Sequence, residues 1–453
     1  MVTRKIADFI IETGYDRIPR EAVETAKLAI LDMLGAALAG TEEPAVEILT
    51  DYVKCTSAKE EATVIAGNFK TSMPLAALIN GTSGHALDYD DASYSTLGHP
   101  TVALLPAVLA IGEKNRLSGK AVLAAYVLGF EVMAKIGLGL GFDVYQNGWH
   151  CTSTIGVMGA AAAGARLLKL SPGEVQTALG LAGSLSGGLR QNFGTMTKPL
   201  HAGVAAHNGV MASLLAGRGF TSDNGILESP LGYAKVFSPN SDPIGMSQDL
   251  GAPFDIVANG LAFKPYPSCR FTHHLIDAVL HLVNEHDVDA DDVLAVDCRI
   301  FPVVTQVLIH HRPRTALEGK FSLEYCVARA LLDRNVRLDH FTDEAVIDPK
   351  IQGLISRVRY HHVNDDTHEK LGEGGAMPPA GVKLILRDGA ELSRTVKVPK
   401  GDPGNPMTVD ELIAKFRDCA ARSVSPQKID RCVDVLLHLE LLEDISSFTD
   451  VIA

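Results

Sequence analysis

From the N-terminus to about residue 220, apolar residues recur at helical spacing and no strand-like alternation intervenes. The stretch 19–40, PREAVETAKLAILDMLGAALAG, predicts one amphipathic helix with Pro19 near its start and Gly40 past its end. Residues 99–117, 120–136, 153–169, 171–189 and 198–218 predict further helices. Several are too rich in Ala, Leu, Val and Gly to face water on any side. Short residues, with 41 glycines in the chain, let such helices approach closely.

The texture changes after about residue 262. Residues 292–309 carry β-rich, partly alternating runs, 355–365 read as a strand, and 381–398 as a hairpin turning at Asp388-Gly389. Helical segments 271–286 and 322–332 lie between them, which predicts an α+β domain. Beyond Gly401 the pattern is helical again, and if these last helices pack back on the first domain, that domain is discontinuous.

A chain of 453 residues exceeds the size at which one core stops growing, so two domains are expected. Hydrophobic residues at 46% and charged residues at 21% suit a soluble globular protein. The net charge, 41 − 54 = −13, argues against nucleic acid as a partner, and an anionic substrate would need a local cluster of cations. Seven cysteines without a CxxC pair argue against a disulfide framework and a structural zinc site. The start, MVTRKIADFIIETGYDRIP, does not read as a signal peptide. The most apolar run, 102–111, is too short to span a bilayer. The expectation is a cytoplasmic enzyme with no membrane partner.

Residues 80–100, NGTSGHALDYDDASYSTLGHP, set Asp88, Asp90, Asp91, His85 and His99 between apolar helices, where charge is costly unless paired. This segment is the expected floor of an active site. His85, one turn before Asp88 on a helix, is either its hydrogen-bond partner or a catalyst. In YQNGWHCTST (145–154) a following helix offers Thr152, Ser153 or Thr154 as N-cap and aims His150 at a carboxylate. In QNFGTMTKPLHAG (191–203) Lys198 fits the first turn of the next helix as part of an anion cradle, where desolvation would bring it towards a usable base. His201 and His207 lie two turns apart there, the latter reading as a core histidine. In KPYPSCRFTHH (264–274) Lys264, Arg270 and His273 supply positive charge at the predicted domain junction, and Cys269 reads as a packing residue. The DYDD spacing does not match a calcium loop, GLGLG (137–141) is not a dinucleotide fingerprint, and no metal is expected.

Taken together, GHALDYDD with GHP, GWHCTSTIG, GTMTKPLHAG, YPSCRFTHHLIDA, KFSLEYCVARAL (320–331) and GDPGNPMT (401–408) resemble the MmgE/PrpD family across nearly the whole chain. The resemblance implies a mainly α fold. A large all-helical domain is built from both chain ends (1–262 and 400–453), with a smaller inserted α+β domain (263–399), and the protein is a homodimer needing no cofactor. By motif match it places active-site roles on Asp88, His99, His150, Lys198 and His273. Ala92 stands where a threonine is common in the dehydratase and decarboxylase members, with Ser93 next, and Asn147 where a basic residue is often found.

The implied chemistry removes a proton from carbon beside a carboxylate, which needs a base and cations for the developing enediolate. His150 or Lys198 would take the proton, and His99, oriented by Asp88, would protonate a departing hydroxyl. Tyr145 and Lys198 would form the opposed pair of an epimerase. Lys264, Arg270, Ser93, Thr152 and Gln191 are the candidates to bind a small anionic di- or tricarboxylate. A 2-methylcitrate-type dehydratase comes first, followed by an iminodisuccinate-type epimerase, a cis-aconitate-type decarboxylase and a non-catalytic polycarboxylate-binding protein.

Overall fold

The computed structural model describes residues 1–363 and 378–453, mainly as helix with small sheets. The chain forms two compact units. The first comprises residues 1–191, 197–263 and 408–453, and the second 192–196 and 264–407.

The first unit opens with α1 (Val2–Glu12), α2 (Arg20–Gly40), α3 (Pro44–Lys54), α4 (Met73–Ala86), α5 (Pro100–Lys114) and α6 (Gly119–Leu140). It continues with α7 (Gly156–Leu167), α8 (Pro172–Ser184) and α9 (Thr197–Ala216). Side-chain caps fix several starts: the Ser118 hydroxyl accepts from the Ala121 N–H, and Ser171 and Glu174 form a reciprocal capping box. Helix α6 is long and apolar enough to cross a membrane, and most of it is buried inside this unit.

Helices α4 and α9 touch backbone to backbone. A Cβ on Gly81 would lie 2.9 Å from the Gly203 Cα, and one on Gly203 would lie 2.1 Å from the Leu78 carbonyl oxygen. Only two glycines allow this approach, and it sets the N-terminal turn of α9 beside α4. The polar residues that α4 buries are satisfied locally: Asn80 bridges the Ile65 N–H and the Thr63 carbonyl, and Ser83 donates to the Ala37 carbonyl. The unit is not purely helical as expected. Residues 62–63 pair antiparallel with 70–71, a ladder too short to show alternation in the sequence.

In the second unit α10 (His273–Glu285) packs on α11 (Leu323–Asp333) and on a four-stranded sheet. Its strands β1 (Val293–Ile300), β2 (Val358–His362), β3 (Ala380–Leu386) and β4 (Glu391–Val396) run in the order β2-β1-β3-β4, with β2 parallel to β1 and the other pairs antiparallel. Gly389 makes the β3–β4 turn at φ 89°, and the Asp388 carboxylate accepts from the Ala390 N–H. The expected β-rich run 292–309 is strand only to Ile300. Pro302 then starts a helical turn, because it has no N–H for the ladder and its φ suits a first helical position. The last two residues of the expected strand 355–365 lie outside the described residues.

Helices α12 (Val409–Ala420) and α13 (Pro426–Leu437) belong to the first unit. A Cβ on Gly35 of α2 would lie 3.1 Å from the Phe416 ring, and Lys27 donates to the Leu437 carbonyl at 2.9 Å. Lys415 pairs with Asp32 at 2.7 Å and donates at 2.7 Å to the Tyr89 carbonyl. The chain's last helices thus fasten the loop that follows α4.

Candidate active site

Helix α4 ends at Ala86, and Asp88 then turns the chain with φ 52°, a conformation rare for a residue with a side chain. Asp88 is therefore not one helical turn beyond His85, and the three carboxylates of DYDD diverge. Asp88 accepts from the Lys198 ammonium at 3.0 Å. Asp90 faces two imidazoles, His85 Nδ1 at 2.9 Å and His99 Nδ1 at 3.1 Å. Asp91 turns inward to the Thr101 hydroxyl, which lies 2.6 Å from the Tyr126 hydroxyl. Burial pushes the Asp91 carboxyl well above its usual range, against the pull of the Thr101 hydroxyl. Burial works against charge on Asp90 too, yet the histidines that face it hold it well below the carboxylate range.

His85 joins two of these arms. Its Nδ1 faces a carboxylate and so carries the proton, which leaves Nε2 to accept from Lys198 Nζ at 2.9 Å. Burial brings this imidazole down to about 4, so it is neutral near pH 7. Both nitrogens are committed, which makes His85 a bridge that holds the lysine. Its partner carboxylate is Asp90, not the Asp88 that the sequence suggested.

His99 stands at the start of α5, where the missing N–H of Pro100 suits a first helical position. Its Nδ1 donates to the Asp91 carbonyl at 2.7 Å, while Nε2 lies 3.8 Å from Asp88, beyond hydrogen-bond length. The expected orientation of His99 by Asp88 thus falls instead to the Asp91 backbone and Asp90. Thr152 does not cap the following helix as expected, since α7 has Ile155 at its N-cap position; the Thr152 hydroxyl accepts from the His99 N–H at 3.1 Å. Gly98 allows that seam, because a Cβ there would lie 2.6 Å from the Thr152 nitrogen. Ser93 closes its own small loop: its backbone pairs with Gly98, and its hydroxyl accepts from the Thr96 N–H.

His150 is buried, 2% exposed. Its ring lies 5.9 Å from that of His85, and its Nδ1 is 3.0 Å from Nδ1 of His201, which sits three residues after Lys198 on α9. His207, by contrast, pairs with the Asn208 side chain. Burial, with Lys198 nearby, pushes His150 well below the usual histidine range and His201 down to about 4. Asp88, His99, His150 and Lys198 thus meet in one buried cluster inside the first unit. Tyr145 packs under the Arg190 guanidinium, 3.8 Å from its ring, and Arg190 donates to the Tyr145 carbonyl. Arg190 carried no sequence signal. Gln191 lies exposed on the turn Arg190–Asn192.

Lys264, Arg270 and His273 belong to the second unit, where all three are buried. His273 Nε2 faces the Ser268 carbonyl and so carries the proton; Nδ1 accepts from Arg270 at 2.8 Å. Arg270 also meets Asp402 at 3.2 Å, from the GDPGNPMT stretch. Burial and then the Arg270 charge keep His273 neutral. Cys269 is buried, as a packing residue would be, and the chain's seven cysteines are free.

His85, Asp88, Asp90 and His99 bring ligand atoms within 4.8 Å of one another, close enough to hold a metal ion. Two of these residues already face the Lys198 ammonium, and a third closes on the imidazoles. A divalent ion would have to displace the lysine. The resident cation of the cluster is an ammonium, already paired with Asp88.

A family model for the MmgE/PrpD N-terminal domain matches residues 4–244, and one for the MmgE/PrpD C-terminal domain matches residues 266–439. The human cis-aconitate decarboxylase is 27% identical over 466 residues, covering 100% of this chain and 94% of its own length. An Aspergillus terreus cis-aconitate decarboxylase is 26% identical, covering 100% and 96%. The 2-methylcitrate dehydratase of Escherichia coli (strain K12) is 23% identical, covering 97% and 94%.

Proposed function

Because this chain belongs to the MmgE/PrpD family, we propose that it is a lyase that moves a proton on or off a carbon beside a carboxylate of a small di- or tricarboxylate. Cis-aconitate-type decarboxylation is placed first, since the decarboxylases named above are more similar to the chain than the dehydratase, and 2-methylcitrate-type dehydration second. The sequence instead suggested dehydration first, epimerisation second and decarboxylation third. The observation that carries the reading is the buried Lys198 ammonium, held by Asp88 and His85 beside neutral His150.

Decarboxylation breaks a carbon–carbon bond, leaves the electron pair on carbon, and requires one proton there after carbon dioxide departs. Dehydration takes a proton from that kind of carbon and expels a hydroxyl as water. Both develop negative charge next to a carboxylate, and a desolvated ammonium stabilises it more than water would. His150 is the group that exchanges the proton with carbon. In the dehydration His99 delivers the proton to the departing hydroxyl.

The test incubates the protein with cis-aconitate, 2-methylcitrate and iminodisuccinate in deuterated water, with and without exhaustive chelation. Carbon dioxide release with deuterium on carbon identifies the decarboxylase. Absorbance from a new double bond identifies the dehydratase, and exchange with neither identifies an epimerase. Chelation should leave the rate unchanged. Binding without turnover or exchange overturns the enzymatic reading.

A further inference from the structure

The contact between His150 and His201 is unusual in its atoms: two Nδ1 nitrogens face each other at 3.0 Å. Neutral imidazole carries one N–H, so such a bond holds a single proton, donated by one ring and accepted by the other. If His201 donates, the proton of neutral His150 sits on Nε2 and no lone pair remains there for chemistry. If His150 donates, its Nε2 keeps the lone pair.

We infer that His201 is a positioning residue that accepts from the Nδ1–H of His150, so that every proton His150 gains or loses passes through Nε2. The inference rests on the reading of His150 as the group that exchanges protons with substrate. Three features fix the contact, and that reading of His150 fixes which ring donates. The His150 backbone is pinned, its N–H donating to the Gly188 carbonyl and its carbonyl accepting from Ser153 and Thr154, so the ring swings only about its side-chain bonds. Gly188, at φ 111°, roofs the contact: a Cβ there would lie 3.4 Å from His201 Nδ1 and 3.1 Å from the Ser153 Cβ. One helical turn of α9 carries both Lys198 and His201, so the cation and the imidazole acceptor are placed by the same backbone.

The titratable groups that face the pair are Lys198, His85 and His99, with Asp88 and Asp90 behind them. Burial first, and then the lysine, disfavours a second positive charge and keeps both rings neutral at rest. When Nε2 of His150 takes a proton, its Nδ1–H bond to neutral His201 becomes charge-assisted and strengthens. In the decarboxylation Nε2 first takes that proton from solvent and then passes it to carbon, which returns the original tautomer.

The tautomer is read without substrate, from nitrogen-15 histidine spectra of the whole protein. Nδ1–H on His150 and a bare Nδ1 on His201 are expected, and Nε2–H on His150 overturns the inference. Kinetically, His201→Asn keeps an acceptor oxygen near the Nδ1 position, while His201→Leu keeps bulk without one. His201→Leu should lose kcat by at least about tenfold with KM little changed, and His201→Asn should recover most of it. Wild-type kcat in His201→Leu sinks the idea. Nδ1–H on His150 in a protein that turns over none of the acids would uphold the tautomer and remove the reaction reading instead.

Discussion

Lys198 shows how far a side chain's meaning depends on its partner. The sequence places it in a helix's first turn, as a cradle lysine whose loss should leave the fold intact. It is instead 3% exposed and paired with an equally buried Asp88. Removing one member of such a pair strands the other charge, which costs about 3–5 kcal/mol, whereas replacing both is close to neutral. Lys198→Ala should therefore lose activity and a few kcal/mol of stability in urea melts. Asp88→Asn combined with Lys198→Met should recover stability but not turnover. A Lys198→Ala protein as stable as wild type would mean the ion pair does not form.

Among elements, the α4–α9 contact decides whether the cluster exists. His85 lies at the end of α4 and Lys198 at the start of α9, 113 residues apart, and two facing glycines let them meet. Gly203→Ala would drive a methyl into the Leu78 carbonyl and push α9 away. Overpacking of this kind costs about 1–3 kcal/mol, and the displaced Lys198 should take activity with it. Gly173→Ala in the first turn of α8, with no atom within 4 Å of its Cβ position, is the control and should be neutral or slightly stabilising. Equal behaviour of the two variants in melts and assays would rule out backbone proximity as the constraint.

At the scale of the whole molecule the buried histidines couple folding to pH. His85, His201 and His274 are each brought by burial to about 4, below the 6.5 of an exposed histidine. Between those values the unfolded chain binds protons that the folded chain refuses, so stability is fully present above pH 6.5 and is lost as pH falls towards 4. A fully buried ring such as His85 contributes a slope of up to about 1.4 kcal/mol per pH unit in that window. The urea midpoint should fall steadily from pH 6.5 to 4. A flat profile would show that these rings are already charged in the native state.

Most of the helices could be drawn from the sequence because their periodicity, prolines and caps act over neighbouring residues, as in the capping box at Ser171 and Glu174. The chemistry of the cluster was legible as composition too, since carboxylates and imidazoles amid apolar helices must be paired. What the sequence could not assign was the pairing itself. That Asp90 rather than Asp88 serves the histidines, that Asp91 turns away to Thr101, and that His201 meets His150 all depend on the reversal at Asp88 and on close approach of α4 and α9. Local propensity determines where a helix begins. Which charged group faces which is settled only when distant backbones come within contact distance, because hydrogen bonds act over about 3 Å and are blind to separation along the chain.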